Sequence, residues 1–258
     1  MNYNFHTHTY RCHHAKGEDE EYVKMAIERG IKILGFSDHA PMRFGGGYSS
    51  YFKMEESEAE EYMSSLTALK EKYKNDIEIH IGFESEYYPS MFEDNLKLWR
   101  SLGAEYIILG AHFTLGAEWE DGHKASKSPS DDRQLLYYTD NVCEAMKTGK
   151  FTYVAHPDIL NYVGNDGELY RECVERLVKC ANRCELPLEI NLLGMRNKIN
   201  YPSDRFWEIA SPLKPRVIIG ADAHRPKDLF DPDNLKEGLA FAEKHKLKLI
   251  DKLDLKGI

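Results

Sequence analysis

The sequence predicts an α/β fold built on a parallel sheet, most economically a seven-stranded β/α barrel. Apolar segments of strand length alternate with amphipathic helical segments along the 258 residues. One of these segments, Tyr106–Gly110, is almost continuously hydrophobic, as strands buried on both faces of a parallel sheet are. Candidate metal ligands fall immediately after the strands, where barrel enzymes build their sites. A doubly wound open sheet is the alternative fold.

The strands are predicted from short apolar or alternating runs. The chain opens with a strand that carries His6 and His8. Six more strands are expected, at residues Ile31–Ser37, Ile77–Gly82, Tyr106–Gly110, Phe151–Ala155, Leu188–Asn191 and Arg216–Gly220. A weak terminal strand is expected at Leu247–Ile250, after the last helix.

The helices are predicted from apolar residues spaced three and four apart. The first, Glu18–Arg29, ends before Gly30, a residue typical of helix C-termini. The others are expected near Glu55–Tyr73, Phe92–Leu102, Leu135–Met146, Leu169–Cys184, Asp204–Ile209 and Asn234–Lys244. In the fifth of these helices Cys173, Cys180 and Cys184 join two leucines in one apolar stripe, which favours core packing over a zinc site.

Composition excludes several classes of protein. The formal charge is −9, and an acidic surface repels a phosphate backbone, so a general nucleic-acid binder is not expected. The N-terminal residues lack the pattern of a signal peptide, and eighteen apolar residues never run together. Five cysteines in such a chain indicate reduced thiols. We therefore expect a cytoplasmic protein without a membrane partner, folded as one domain over residues 1–258.

Imidazoles and carboxylates recur along the chain at the ends of the predicted strands. His6 and His8 point to the same side of the opening strand, so both can contact one cation. With these two, the candidate ligands are His6, His8, His14, His39, Glu84, His112, His156, Asp222 and His224. Such ligands suit zinc, iron or manganese, and nine of them exceed what one ion can use. The sequence therefore predicts two or three divalent ions, with a carboxylate bridging neighbouring ions.

Other polar residues receive different interpretations. Asp38 is expected to orient an imidazole ligand, because carboxylates behind metal-bound histidines commonly fix their tautomer. His80 is expected to be an interior histidine with satisfied hydrogen bonds, and His123 and His245 are expected at the surface. His13 stays unassigned. The loops that contain Glu86, Tyr48 and Tyr51 are expected to shape the substrate end of the pocket, whereas packing is the expected role of Tyr87 and Tyr88.

These motifs resemble the polymerase and histidinol phosphatase (PHP) family, in its histidinol-phosphate phosphatase branch. The resemblance spans almost the whole chain and rests on short motifs in the family's order. They are His6-Thr7-His8-Thr9 with Cys12 and His14, Ser37-Asp38-His39, Gly82-Phe83-Glu84, Gly110-Ala111-His112, Ala155-His156-Pro157 and Gly220-Ala221-Asp222-Ala223-His224.

The resemblance implies a distorted seven-stranded barrel with a trinuclear metal centre at the C-terminal rim of the strands. One metal would be held by His6, His8, Glu84 and Asp222, a second by Glu84, His112 and His156, and a third by His14, His39 and His224. Glu84, Asp222 and His224 are also the expected catalytic residues. Arg196 resembles the family's phosphate-binding arginine, and Arg43 is a second candidate for that role.

The activity implied is hydrolysis of L-histidinol phosphate to L-histidinol and phosphate, a step of histidine biosynthesis, by a hydroxide that the metals activate. The expected partner is thus a small phosphomonoester. Alternatives within the family are a phosphatase for phosphotyrosine or nucleotides and a nuclease-like phosphodiesterase. An amidohydrolase barrel and a metal-binding protein without catalysis are further alternatives. The oligomeric state and the general acid are not predicted.

Overall fold

The computed structural model describes residues 1–116, 118–120 and 122–258 and contains nine strands. Seven of them form one parallel sheet in chain order, and β5 and β6 pair only with each other as an antiparallel hairpin. Their bounds are β1 Tyr3–Asn4, β2 Ile33–His39, β3 Glu78–Ser85, β4 Tyr106–Leu109, β5 Phe113–Thr114, β6 His123–Lys124, β7 Phe151–Val154, β8 Leu188–Asn191 and β9 Val217–Gly220.

The parallel sheet curves into a nearly closed barrel. Its two edges meet just beyond β1 and β9, where Thr7 and Ala223 form an isolated parallel bridge. The His8 amide donates to the Ala223 carbonyl at 2.9 Å, and the Ala223 amide donates to the His6 carbonyl at 3.1 Å. The predicted barrel is therefore confirmed, and its closure brings the first and last candidate ligands of the chain side by side.

Helices connect the strands and cover the outside of the barrel. Their bounds are α1 Asp19–Glu28, α2 Glu56–Lys72, α3 Phe92–Leu102, α4 Asp132–Lys147, α5 Gly167–Arg183, α6 Leu192–Arg196, α7 Asp204–Ala210 and α8 Pro232–Lys244. Two of them begin with reciprocal capping boxes, formed by Glu18 with Glu21 and by Glu55 with Glu58. Within the described residues, none of the helices is long and apolar enough to cross a membrane.

The predicted elements differ from the structure mainly at the ends of the chain. The opening strand is regular only over Tyr3–Asn4, and His6 and His8 lie just beyond it. The predicted terminal strand at Leu247–Ile250 is wrong, because that segment makes only one bridge, between Leu249 and Val217. The hairpin of β5 and β6 lies between the predicted strand Tyr106–Gly110 and the predicted helix Leu135–Met146, where the sequence predicts no strand.

Aromatic side chains fill the inside of the barrel below the C-terminal rim. Phe5 and Tyr106 pack edge to face with ring centroids 5.6 Å apart, in a buried cluster separate from the main core. The Tyr106 ring passes over Gly35 and Gly82, where an added Cβ would lie 2.4 and 2.6 Å from Tyr106 side-chain atoms. Glycine at these two positions makes room for the ring. The filled interior leaves the C-terminal rim as the place for a cavity.

Helix α5 confirms the interpretation of the cysteine-rich segment as core. Cys173 and Cys180 are buried with Leu177, and Cys184 is half-buried beyond the helix end. The Cys180 thiol contacts the Cys143 carbonyl oxygen at 3.6 Å, which joins α5 to α4. All five cysteines are free thiols. These residues pack the layer of helices outside the barrel.

Candidate metal centre

The barrel brings all nine predicted ligands together at the C-terminal rim. His39 ends β2 and Glu84 lies in β3, while the other ligands lie in the segments that follow β1, β4, β7 and β9. Neighbouring imidazole rings have centroids 4.1 to 6.3 Å apart, which links the histidines into one cluster. Most of these side chains are buried, whereas His14 is exposed and His112 and His224 are half-buried, and all three line the cavity.

Glu84 lies at the centre of this cluster and is 1% exposed. Its Oε1 is 3.0 Å from His156 Nε2 and 3.6 Å from His112 Nε2. Its Oε2 is 3.2, 3.5 and 3.6 Å from nitrogens of three further imidazoles, those of His39, His8 and His6. A Cβ at Gly110 would lie 2.2 Å from Oε1, so this glycine leaves the space that the carboxylate occupies. The position suits a carboxylate that bridges two cations.

Asp222 is the second buried carboxylate of the cluster. Its Oδ1 is 3.3 Å from His8 Nε2 and 3.6 Å from His6 Nε2, and its Oδ2 accepts a hydrogen bond from Asn191 at 2.9 Å. Asp222 and His156 have φ values of 45° and 30°, in the left-handed region that side chains other than glycine rarely adopt. Strained backbone of this kind concentrates at functional sites, where the surrounding contacts hold it in place.

Three buried carboxylates contact the Nδ1 atoms of ligand imidazoles, on the side of each ring away from the centre of the cluster. Glu189 contacts His6 at 2.8 Å, Asp38 contacts His8 at 3.3 Å, and Glu86 contacts His112 at 2.8 Å. Each contact directs Nε2 of its imidazole toward the cluster. The interpretation of Asp38 as an orienting residue is thus consistent with the structure.

For two of these three carboxylates, the position in the structure differs from what the sequence predicts. Glu86 was expected near the substrate, but it is 3% exposed, and its Oε2 lies 2.8 Å from the buried Lys53 ammonium. Glu189 was missed altogether. The available signal was a carboxylate inside the predicted strand Leu188–Asn191, since an ionised side chain is rarely buried without a partner.

Several buried polar atoms of the cluster have no hydrogen-bond partner in the described part of the chain. They include His6 Nε2, Glu84 Oε2 and Asp222 Oδ1, which all face the centre of the cluster. Leaving such atoms unpaired is costly, whereas a cation would be coordinated by all three. Groups of His, Asp and Glu with ligand atoms within 4.8 Å of one another occur here. The donor set therefore fits transition-metal ions such as zinc, iron or manganese.

The charges at the site also favour a bound cation. Burial opposes ionisation of Glu84, but the imidazoles of His112, His6 and His39 outweigh it and lower the pKa of this carboxyl well below its usual value. Burial likewise opposes a charge on His6, but Asp222, Glu189 and Glu84 raise the pKa of this imidazole well above 6.5. The buried carboxylates thus attract positive charge, and protons and metal ions compete to supply it.

A second group of imidazoles lies nearer the solvent. His14 Nε2 and His224 Nε2 are 3.0 Å apart, and the His8 ring stacks on His224 with centroids 4.1 Å apart. Burial, together with His224 and His8, lowers the pKa of His14 to about 4. His14 is therefore neutral near pH 7, which is the form that binds metal.

A cavity of about 1150 Å³ opens above the cluster. Arg196 lines it, and the guanidinium donates to the carbonyl oxygens of Ala221 and Asp222 at 3.0 to 3.3 Å. Arg43 does not line the cavity: its side chain is exposed and pairs with Glu56. The suggested second phosphate-binding role of Arg43 therefore finds no geometric support.

The remaining histidines differ in their surroundings. His13 is exposed at the mouth of the cavity, and His123 is exposed in β6. His80 contacts Glu105 and Glu78 at 2.8 Å each, so its ring nitrogens are satisfied as expected. The expectation that His245 lies at the surface is wrong: its ring packs against Phe241, and Nε2 lies 2.6 Å from Asp204 Oδ1.

Fold and site together define a β/α-barrel protein with a rim rich in metal-binding histidines and carboxylates. The model of the PHP domain family matches residues 4–192, well over half of the chain. The chain therefore belongs to the PHP domain family, which confirms the resemblance found in the sequence. The match includes the ligands from His6 to His156, whereas Asp222 and His224 lie beyond it.

Curated relatives and solved structures agree with this assignment. A "Probable histidinol-phosphatase" of Deinococcus radiodurans is 26% identical over 230 residues, which cover 87% of this chain and 86% of the relative. The "Histidinol-phosphatase" of Bacillus subtilis is 28% identical over 115 residues, 42% of each chain. The histidinol phosphate phosphatase of Lactococcus lactis, solved with zinc, L-histidinol and phosphate, has the same fold. Its TM-score is 0.71 at 16% identity, over 98% of this chain and 97% of that chain.

Proposed function

We propose that this chain hydrolyses L-histidinol phosphate to L-histidinol and phosphate, as a cytoplasmic enzyme of histidine biosynthesis. The family match and the relatives named histidinol-phosphatases support a phosphatase of the PHP family. The observation that carries the proposal is the cluster of nine imidazoles and carboxylates, all of which except the fully buried His6 line one cavity with Arg196. L-histidinol and phosphate bound to the Lactococcus lactis structure support the choice of substrate.

The proposed cofactors are two or three divalent ions of zinc, iron or manganese. The residues that would hold them form three groups, His6, His8, Glu84 and Asp222; Glu84, His112 and His156; and His14, His39 and His224. Ions bound there supply positive charge to the phosphate and a water molecule of lowered pKa. Glu84, Asp222 and His224 would contribute to catalysis by holding these ions in position.

The chain's own residues would bind and orient the substrate. Arg196 is fixed by the carbonyl oxygens of Ala221 and Asp222, so its remaining N–H groups can bind phosphate oxygens without losing much side-chain entropy. Phe52 and Phe113 line the same cavity with ring centroids 5.9 Å apart. We expect the imidazole and ammonium of histidinol to pack against these rings, since aromatic faces attract cations.

A phosphatase for a more highly charged monoester is the second candidate. Lys124, Lys127, Arg225 and Lys227 also line the cavity, and a nucleotide would match these charges better than histidinol would. A nuclease is less well supported because the chain carries a formal charge of −9.

The test is a metal analysis of the purified protein joined to phosphate release from a panel of monoesters. The panel includes histidinol phosphate, phosphotyrosine, p-nitrophenyl phosphate and nucleoside monophosphates. The proposal predicts a kcat/KM for histidinol phosphate that exceeds the others by at least about 100-fold, since lost polar contacts typically cost this much. A flat profile would remove the substrate assignment, and a preference for nucleotides would favour the second candidate.

A further inference from the structure

Tyr201 lies on the wall of the cavity, and within the described part of the chain its hydroxyl has no hydrogen-bond partner. Tyr201 follows α6 and is 6% exposed, and its ring centroid lies 5.7 Å from that of His156. The cavity is lined by Tyr201 together with Arg196 and Asp222. Among the described residues none forms a hydrogen bond with the Tyr201 hydroxyl. Because Tyr201 lines the cavity, its hydroxyl is free to form a hydrogen bond with a ligand bound there.

The Tyr201 side chain is held in place from two directions. On one side, a Cβ at Gly194 would lie 2.0 Å from the Tyr201 carbonyl oxygen and 2.5 Å from its ring, so only glycine allows this approach. On the other side, Asp158 accepts hydrogen bonds from the Ser203 amide at 2.6 Å and from the Trp207 indole at 2.9 Å. These contacts fix the segment that carries the tyrosine, although none of them uses its hydroxyl.

The same short helix connects Tyr201 to the metal centre and to Arg196. Asn191 caps α6 through its Oδ1, which accepts from the Gly194 amide at 3.1 Å, while its Nδ2 donates to Asp222 at 2.9 Å. Arg196 leaves this helix toward the Asp222 carbonyl. Gly194, which supports the tyrosine, lies in the same helix. Helix α6 therefore holds both Arg196 and Tyr201 in place, and both side chains would lie next to a phosphoryl group bound beside Asp222.

We propose that Tyr201 is a further substrate-binding residue, whose hydroxyl donates a hydrogen bond to a phosphoryl oxygen beside Arg196. A neutral phenol is a donor near pH 7, and its hydrogen bonds to anionic oxygens are among the stronger ones. This inference rests on the proposed function only in requiring a phosphomonoester substrate, and it does not depend on the leaving group.

The test is Tyr201→Phe, which removes the hydroxyl and keeps the ring on Gly194. The probe is inorganic phosphate, titrated by calorimetry into the metal-loaded protein. We expect the dissociation constant for phosphate to rise about tenfold and kcat/KM for p-nitrophenyl phosphate to fall about 10- to 100-fold, as for loss of a hydrogen bond to a charged group. Metal content and Tm should stay at their wild-type values.

Tyr153→Phe is the control, because the Tyr153 hydroxyl likewise has no hydrogen-bond partner among the described residues, but Tyr153 does not line the cavity. It should leave phosphate affinity unchanged. Phosphate affinity and kcat/KM within twofold of wild type in Tyr201→Phe would overturn the inference, and so would a loss accompanied by metal loss. The two proposals can fail separately. If kcat/KM were similar for all monoesters, histidinol phosphate would be excluded as the specific substrate, but weaker phosphate binding in Tyr201→Phe would still support the role of Tyr201.

Discussion

Glu84→Gln replaces the central carboxylate of the rim by a neutral amide of the same size. The two Glu84 oxygens lie 3.0 to 3.6 Å from five imidazole nitrogens. The negative charge of the carboxylate would therefore lie next to any cation that those imidazoles hold. A unit charge at about 4 Å contributes about 4 kcal/mol at an effective dielectric constant of 20. That energy corresponds to about 10³-fold in metal affinity. We therefore expect Glu84→Gln to lose at least one metal ion and to reduce turnover by two or more orders of magnitude.

The assay is metal analysis after dialysis against a weak chelator, together with phosphate release by the same samples. Glu78→Gln is the control, because Glu78 lies in the same strand, β3, with a side chain that is 61% exposed. It should retain the metal content and turnover of the wild type. Full metal content in Glu84→Gln with turnover within threefold of wild type would refute the idea that this carboxylate bridges two ions.

Three further predictions concern residues around the site and on the barrel surface. Glu189→Gln should weaken metal binding about 10- to 100-fold in a chelator competition, because the carboxylate that orients the His6 imidazole is lost. An unchanged metal affinity would show that Glu189 has only a structural role. Arg196→Ala should raise KM for a monoester at least about tenfold, whereas Arg43→Ala should change KM less than twofold. Equal effects of the two substitutions would contradict the assignment of phosphate binding to Arg196. The hydrogen bond with Glu105 raises the pKa of His80, and His80 and Lys70 outweigh burial and lower the pKa of Glu105 to about 2. Stability from this pair is therefore present between about pH 4.5 and pH 6.5, and is lost as pH rises through the His80 pKa or falls toward 2. Glu105→Gln should lower the free energy of unfolding by about 1 kcal/mol near pH 5.5 and by less at pH 8 in urea titrations; a difference independent of pH would exclude the His80 contribution.

Much of the barrel could be predicted because its elements are local patterns. The helix predicted at Phe92–Leu102 has these bounds in the structure, since its apolar residues repeat at helical spacing and Gly103 ends it with a φ of 87°. The strand ends were predictable within a few residues, and parallel strands present their C-terminal ends on one rim. Consequently the ligands that follow strands, from His39 to Asp222, could be predicted to meet.

The sequence is least informative for residues whose surroundings come from distant parts of the chain. His245 looks like a surface residue beside two lysines, yet it is buried against Asp204, which lies 41 positions away. Arg43 lies in a loop after a strand that carries a ligand, but its side chain turns to Glu56. Local sequence contains no information about which of several nearby partners a long charged side chain will contact.

The sequence by itself determined the fold class, the alternation of strands and helices, and the set of imidazoles and carboxylates at the strand ends. These follow from periodicity and residue chemistry, which act over a few positions. Only the tertiary structure decided that Glu84 lies among five imidazoles, that Glu189 contacts His6 across 183 positions, and that Tyr201 lines the cavity beside His156. The physical reason is that these contacts depend on how the barrel closes and packs, because residues far apart in the chain meet only when the whole sheet has formed.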